Sequence, residues 1–479
     1  MVEAVKFPDI ALYEGWGKPH RLESTIQDLE IISGAMPKDL NGTWYRCGPD
    51  RQYPSLFKDD IFIDGEGMAH MFRLQDGHLD YRSRWVRNER FLLQEQARRS
   101  LFGRYRNRYT NDPSVAGKNQ GTANTNAIWH GNKLLILKED SLPIQVDPNT
   151  LDTIGEWNFG GDVKSVSLTA HPKIDLHTNE LLCFSYQAQG DATKDFVFYV
   201  MDANGKVVHQ MAFDMPYPGM VHDFAVTDSH IVVPFFPMMT DMNVVRDGGP
   251  YYQWHPDKPT VVAIFPRRGT ADQIRWFQGP TTSAGHMMNA YNDGTKVHLD
   301  LCLYQGNCFD FFPAYDGSAY QPVPPLLSRM TFDLESGNDS YETKVIGKMA
   351  CEMPKCDDRY TGKPYTYGYA ICYQPPRATS QIGRFNVQTG ELNLWDPGDH
   401  STVQECQFVP RYQGAPEGDG YLLVIVNRVN EMRSDFAILD AMNFDTGPVA
   451  LYRMPTRVRS TFHGSWVPQS ALKTGKYEV

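Results

Sequence analysis

Four histidines of this 479-residue chain are the residues whose type and surroundings best suit metal chemistry. Each stands beside turn, small or apolar residues, in Thr-Ala-His171-Pro, Val-His222-Asp, Gly-His286-Met and Phe-His463-Gly. Successive members are 51, 64 and 177 residues apart, so no two share a helical turn and no short zinc motif is matched. If they meet, four distant strands must deliver them, as in a radially repeated β fold with a metal on its axis. Imidazole suits several metals, so the residues alone leave iron, zinc and copper open.

The elements that would position these histidines are short alternating strands broken by turn residues, a pattern typical of β-hairpins. One unit recurs about seven times: an apolar strand, an Asp or Asn, a turn and a second strand. Its copies are centred on Asp147, Asp175, Asp202, Asp333, Asn386 and Asp440, with a degenerate copy at 264–269. Repeats with long insertions predict an all-β propeller whose connections form a cap, with a multi-domain β protein as the alternative.

No linker composition divides the chain, so we expect one domain spanning 1–479. The segment 89–100 is the best helix candidate, and we place it in the cap. The arginine-rich stretch 98–108 is interpreted as a solvated loop rather than an anion site.

Composition limits the kinds of binding partner that we expect for this protein. A net charge of -11 argues against a nucleic-acid partner, and no apolar stretch is long enough for a membrane span. The eight cysteines show no compact disulfide spacing, and the N-terminus has no signal-peptide pattern. We therefore expect a cytoplasmic protein with reduced thiols and no stable membrane insertion; a homodimer is left open.

Ordered motifs along nearly the whole chain resemble the carotenoid cleavage oxygenase superfamily, within it the lignostilbene dioxygenase and isoeugenol monooxygenase branch. The motifs are Leu40-Asn-Gly-Thr-Trp, Phe62-Ile-Asp-Gly-Glu-Gly, Ser100-Leu-Phe-Gly-Arg-Tyr-Arg-Asn, Thr122-Ala-Asn-Thr-Asn, Leu137-Lys-Glu-Asp, Thr169-Ala-His-Pro-Lys, Val221-His-Asp-Phe, Pro416-Glu-Gly-Asp-Gly-Tyr and Phe462-His-Gly-Ser-Trp.

The resemblance implies a seven-bladed β-propeller with a cap, and a non-haem Fe(II) held by His171, His222, His286 and His463. It also implies three outer carboxylates that orient the ligands, namely Glu139, Glu352 and Glu405. Such partners fix the ring orientation and raise the basicity of metal-bound imidazoles. Without the resemblance, each glutamate would be an ordinary surface charge.

The same resemblance implies a small phenolic alkene and O2 as substrates. Tyr105 and Lys138 match the pair that binds a 4-hydroxyphenyl ring, and Thr125 matches a position beside an open iron site. A phenolate conjugated to an alkene pushes electron density to the distal alkene carbon, which favours reaction with oxygen. The expected products are aromatic aldehydes such as vanillin. By residue type alone, Tyr105 would be a core aromatic, Lys138 a solvated charge and Thr125 a strand residue.

One departure concerns the substrate. Stilbene-cleaving relatives tend to carry an aromatic residue next to Phe62, whereas this chain has Ile63, which favours an isoeugenol-like substrate. Cleavage of an apocarotenoid is the alternative within the enzyme class, and a non-catalytic binding scaffold is the rival outside it. The apolar runs 232–239 and 309–313 are interpreted as core and cap packing, with an entrance or membrane contact as the alternative.

Overall fold

Sheets arranged around one axis form the protein. The computed structural model describes residues 5–373 and 379–479, and its strands fall into antiparallel sheets that make seven blades. The predicted all-β propeller is confirmed. Its capped architecture also matches the expectation, because three long insertions between strands pack against one another.

The N-terminal segment supplies five strands: β1 (Ser24–Ile26), β2 (Ile31–Gly34), β3 (Gly42–Asp50), β4 (Glu66–Gln75) and β5 (His78–Trp85). All but β2 belong to blade 1. Blades 2 and 3 are simple four-stranded meanders. Their strands are β6 (Asn126–His130), β7 (Lys133–Leu137), β8 (Ile144–Val146), β9 (Thr153–Glu156), β10 (Lys173–Asp175), β11 (Glu180–Tyr186), β12 (Asp195–Met201) and β13 (Val207–Asp214).

Blade 4 carries an inserted hairpin. Its segment contains β14 (Ala225–Val226), β15 (His230–Phe235), β16 (Met238–Met239), β17 (Gln253–Trp254), β18 (Thr260–Pro266) and β19 (Arg275–Gly279). β16 and β17 pair with each other, whereas the other four form the blade.

Blades 5 and 6 share one seven-stranded sheet. Its strands are β20 (Ser283–Asp293), β21 (Lys296–Tyr304), β22 (Leu326–Asp333), β23 (Glu342–Cys356), β24 (Tyr367–Tyr373), β25 (Ser380–Asn386) and β26 (Leu392–Trp395). β23 is 15 residues long and pairs with β22 through one half and with β24 through the other, so it serves both blades.

Blade 7 and the last strand close the ring. The strands are β27 (Ser401–Val403), β28 (Gln407–Pro410), β29 (Gly420–Arg428), β30 (Arg433–Asp440), β31 (Pro448–Arg453) and β32 (Gly464–Pro468). β32 joins blade 1 by pairing with β3, and β2 joins blade 7 by pairing with β31. A strand from near each end of the chain therefore connects blade 1 with blade 7. The seam is filled by Trp44, Phe72 and Phe436, whose rings lie 5.0–5.9 Å apart.

The recurring Asp or Asn at the hairpins has a direct structural role. Asp147 Oδ1 accepts hydrogen bonds from the backbone N–H groups of Asn149 and Thr150, and Asn386 Oδ1 accepts the equivalent pair from Gln388 and Thr389. A short polar side chain that accepts hydrogen bonds from the backbone N–H groups two and three residues later stabilises the turn. The repeat found in the sequence is thus a turn signal.

The described residues contain three α-helices: α1 (Glu89–Ala97), α2 (Met242–Arg246) and α3 (Gln469–Thr474). α1 confirms the predicted cap helix but ends before Ser100, because Arg98 takes a left-handed conformation with φ 56°. Asn88 caps its start by accepting a hydrogen bond from Phe91 N–H. No helix among the described residues has the length and apolar character needed to cross a membrane.

The cap is held together by contacts between its loops. Asn107 donates hydrogen bonds to the carbonyls of Val245 and Gly249, which ties the loop after α1 to α2. The backbone N–H of Trp254 donates to the carbonyl of Pro313, which joins the inserted hairpin to the loop 305–325. These bonds bring three separate insertions over one end of the axis.

Candidate metal centre and substrate side

The four predicted histidines converge. Their ring centroids lie 4.5 Å apart for His171–His222 and His171–His463, 4.7 Å for His286–His463, 5.1 Å for His171–His286 and 5.2 Å for His222–His286. Each residue lies at, or immediately before, the inner strand of a different blade. His463 precedes β32, and the other three belong to blades 3, 4 and 5.

The cluster has the chemistry of a metal site. Nitrogen atoms of His171, His286 and His463 all lie within 4.8 Å of one another, and all three side chains are buried. The Nε2 atoms of His171 and His286 are buried and have no hydrogen-bond partner in the described part of the chain. Orphaned buried nitrogens are costly unless something binds them, so these residues fit a metal ion. His222 falls outside this tight group, although its ring contacts those of His171 and His286.

The three predicted glutamates each accept a hydrogen bond from a histidine Nδ1. The distances are 2.9 Å for His222–Glu139, 2.7 Å for His286–Glu352 and 2.8 Å for His463–Glu405. A carboxylate on Nδ1 fixes the tautomer in which the Nε2 lone pair is free for a metal. Among the residues that the structure describes, no carboxylate accepts from a His171 ring nitrogen; the His171 backbone N–H donates to Thr169 Oγ1 at 3.0 Å.

Burial and nearby charges shift the pKa values of Glu139, Glu405 and His463. Burial alone would raise the pKa of Glu139, but the charge of His222 and its hydrogen bond outweigh burial and lower the pKa to about 2. Burial likewise opposes ionisation of Glu405, yet Lys355 and His463 lower its pKa to about 2. Desolvation lowers the pKa of His463 to about 4, so this imidazole is neutral at pH 7.

Two further residues support the centre. A Cβ atom on Gly285 would lie 2.7 Å from Glu352 Oε1, so only glycine leaves room for that carboxylate beside His286. Asp223 Oδ2 accepts from the backbone N–H of Met287 at 2.8 Å, which ties the neighbour of His222 to the neighbour of His286. Sequence reasoning placed Asp223 in a motif but gave it no role, because its partner is distant in the chain.

Two of the three predicted substrate residues, Tyr105 and Lys138, lie on the His222 side, whereas Thr125 lies against His463. Tyr105 is buried, and its hydroxyl donates to Glu139 Oε1 at 3.1 Å. Lys138 is also buried, with its Nζ 5.0 Å from the centroid of the Tyr105 ring. Thr125 lies at the inner end of blade 2, where its carbonyl accepts from the backbone N–H of His463 at 3.1 Å.

Aromatic side chains of the cap cover this side. The ring of Phe309 lies 5.4 Å from that of His222, and Phe311 packs 5.6 Å from Phe309. Phe62 lies 5.7 Å from Phe311 and remains 44% exposed, so it stands at the rim. Ile63 packs against the same hydrophobic cluster as Tyr105. The run 309–313 therefore packs in the cap, beside the histidines, while 232–235 lies in the core of blade 4.

A different environment lies along the axis. A cavity of about 190 Å³ is lined by His171, His286 and His463 but not by His222. Apolar and charged side chains line it together, and the C-terminal residues 477–479 line it too. The charged lining is Lys173, Asp223, Lys355, Asp357, Asp358, Arg359, Glu405 and Glu478. Tyr105, Lys138 and Phe309 do not line this cavity.

Arg106 corrects one expectation from the sequence. The arginine-rich loop was predicted to be solvated, yet Arg106 is buried and lies 4.7 Å from the centroid of the Tyr251 ring. Its Nη1 donates to the hydroxyls of Tyr186 and Tyr252. Tyrosine partners, rather than an anion, hold this guanidinium, and their positions in remote segments could not be read from the loop itself. All eight cysteines are free in the structure.

Comparisons with known proteins agree with this geometry. Residues 17–468 match the family model described as retinal pigment epithelial membrane protein. The chain is 40% identical to an isoeugenol monooxygenase of Pseudomonas nitroreducens, over 94% of this chain and 96% of that protein. It superposes on the crystal structure of Pseudomonas brassicacearum lignostilbene dioxygenase with a TM-score of 0.94 and 42% identity, covering 97% of this chain and 100% of that one. A cobalt-substituted Synechocystis ACO structure matches with a TM-score of 0.83 and 25% identity, covering 94% and 97%.

Proposed function

Because the chain belongs to the carotenoid oxygenase family, we propose that it is a non-haem Fe(II)-dependent oxygenase that cleaves phenyl-conjugated alkenes. The alkene it would take is conjugated to a 4-hydroxyphenyl ring, as in isoeugenol or a hydroxystilbene. Addition of both atoms of O2 across the double bond gives two carbonyl compounds. From isoeugenol these are vanillin and acetaldehyde.

The observation that carries this proposal is the cluster of four histidines, two of which have a buried Nε2 without a hydrogen-bond partner among the described residues, together with three outer carboxylates. A propeller used only as a scaffold has no need for it. His171, His222, His286 and His463 would hold the iron, which would supply the redox chemistry that O2 needs to react with an alkene. The carboxylates keep three of the imidazoles oriented, and burial keeps His463 neutral.

Lys138 would recognise the substrate phenol. A buried ammonium favours the ionised form of a phenol placed beside it, and the phenolate then enriches the distal alkene carbon in electron density. An apolar carotenoid tunnel would have no use for this charge. The face of Tyr105 forms the wall next to Lys138, and Thr125 would narrow the space beside the iron.

The aromatic cap would bind the rest of the substrate. Phe309 stands against His222, so an alkene held near the metal would contact its ring. Ile63 offers less stacking surface than an aromatic residue would, which favours a substrate with one ring. Isoeugenol is therefore the first substrate to try.

The proposal is tested by measuring oxygen uptake and product formation with three substrates. Isoeugenol, a 4-hydroxystilbene and an apocarotenal are compared on the Fe(II)-loaded protein under identical conditions. We expect stoichiometric O2 consumption and vanillin from isoeugenol, with the apocarotenal turned over poorly. Rapid cleavage of the apocarotenal and none of the phenols would contradict the phenolic assignment.

A further inference from the structure

The axial cavity runs along the inner strands, away from the histidine cluster. His171 lies just before β10 and His463 just before β32, and the lining of the cavity follows both stretches as far as Leu176 and Pro468. Because a strand advances about 3.3 Å per residue, these stretches extend roughly 15 Å from the histidines. The cavity has room for several water molecules. Three of the four imidazoles therefore border a passage that leads away from the cap.

The lining of this passage suits a hydrated divalent cation better than the cap side does. Five acidic side chains line the cavity against three basic ones. The cap side presents instead the ring of Phe309, 5.4 Å from that of His222, and the buried ammonium of Lys138. Moving a cation past apolar walls or past a like charge costs free energy. We therefore expect a metal ion to reach the histidines from the axial end.

A segment near the C-terminus lies at the outer end of the cavity. Residues 477–479 line it, and Glu478 is exposed, whereas the histidines are buried. Asn179, in the turn between β10 and β11, holds this segment through two hydrogen bonds. Its Oδ1 accepts from the backbone N–H of Tyr477 at 2.6 Å, and its Nδ2 donates to the Tyr477 carbonyl at 3.0 Å. A single side chain thus ties the backbone of the segment to blade 3.

We propose that the metal ion enters and leaves the histidine cluster through the axial cavity, and that the segment 477–479 covers the outer opening of this route. Substrate would then use the cap side and metal the opposite side. The inference rests on the binding of a divalent metal in the proposed function, but not on the phenolic substrate.

The test of the cover compares Asn179→Gly with the control Asn132→Gly. Both asparagines have a left-handed backbone, with φ of 57° and 60°, which glycine adopts freely. Asn179→Gly removes both bonds to Tyr477, whereas Asn132 lies in the turn between β6 and β7 and does not line the cavity. Three quantities are measured: the rate of Co(II) uptake by the metal-free protein, the rate of Co(II) release to EDTA, and the Kd at equilibrium.

Asn179→Gly should speed uptake and release alike, by about 5- to 10-fold, and leave the Kd unchanged. Loss of one or two ordinary hydrogen bonds makes local opening easier by a factor of this size, whether or not the metal is bound. Distorted metal ligands would instead speed release alone and raise the Kd. Asn132→Gly should keep both wild-type rates. Wild-type rates in Asn179→Gly, or faster release without faster uptake, would overturn the covering role of the segment.

Two further variants test the route itself. Glu478→Lys places a positive charge at the outer opening and should slow Co(II) uptake several-fold at low ionic strength, with a smaller effect at high salt. Phe311→Ala opens the cap side between Phe62 and Phe309 and should leave uptake and release unchanged. Faster exchange in Phe311→Ala, with no effect of Glu478→Lys, would move the route to the cap side. A wild-type protein that binds no Co(II) would refute the metal centre of the proposed function together with the route.

Discussion

His222 and the other three histidines of the cluster face two different environments. His222 meets the aromatic ring of Phe309 and, through Glu139, the buried Tyr105. His171, His286 and His463 line a cavity whose walls carry charged side chains from several blades. The imidazoles therefore border an apolar cap through His222, and a cavity with a partly charged lining through His171, His286 and His463.

The difference indicates that the cap side binds the substrate and the cavity side supports the metal. Apolar walls with one buried ammonium suit an aromatic substrate, because they exclude water and leave a single polar group to orient the ring. Charged side chains joined in ion pairs, such as Lys173 with Asp223 at 2.7 Å, suit the fixing of strands around a metal. Substitutions of Glu352 and Glu405 should change metal binding, and substitution of Lys138 should change substrate choice.

The largest effect should come from the histidines themselves. Replacing His171 or His286 by Ala removes an orphaned nitrogen, so we expect metal content below about one-tenth of wild type and no detectable turnover, with folding retained. Metal per chain is measured after anaerobic Fe(II) loading, beside circular dichroism. His78, whose side chain is 64% exposed, provides the control His78→Ala, which should bind metal normally. A fully metallated, active His286→Ala protein would refute the site.

Next come the carboxylates of the axial side. Glu352→Gln and Glu405→Gln should each lower metal affinity or activity by roughly 10- to 100-fold, since outer partners of metal-bound histidines typically contribute that much. Competition with a chelator measures the affinity. The preference for the free phenol should be unchanged in both. A Glu352→Gln enzyme with normal metal binding and altered preference would place this residue in the substrate pocket instead.

A smaller effect should follow from Gly285→Ala. The new Cβ would crowd Glu352 Oε1, which must shift and loosen its bond to His286. We expect metal affinity to fall several-fold, less than the roughly 10-fold minimum for losing the carboxylate's bond outright. Gly306→Ala, where a Cβ meets only an ordinary contact with Val323, is the matched control. Equal metal affinities in the two variants would show that Glu352 can move freely.

Much of the fold was predictable because its signals are local. The Asp and Asn residues of the repeat mark real hairpins, each with the backbone contacts that such a residue makes in a turn. The repeat count did not map one unit to one blade, since blade 3 contains two of them, at Asp175 and Asp202, and blade 1 none. Long-range pairing decides blade membership, and no local pattern encodes it.

The same contrast between local signals and long-range partners applies to the candidate site. The histidines and glutamates were predicted from motifs, and the structure brings each Glu to one His. The burial of Arg106 and the bond from Asp223 to Met287 were not predicted, because both depend on partners that lie 64 or more residues away. The single domain over 1–479 stays a prediction.

The most direct test of the cap side as the phenol site is the ratio of kcat/KM for isoeugenol to that for its methyl ether, in wild type and in Lys138→Met. A site built around a buried polar group rejects a substrate analogue that leaves this group without a hydrogen-bond partner. We expect wild type to prefer the free phenol by at least about 100-fold. Lys138→Met should bring the ratio close to one by losing activity on the phenol. Equal rates on both compounds in wild type, with Lys138→Met unimpaired, would contradict the phenolate role and move the assignment to apocarotenoid cleavage.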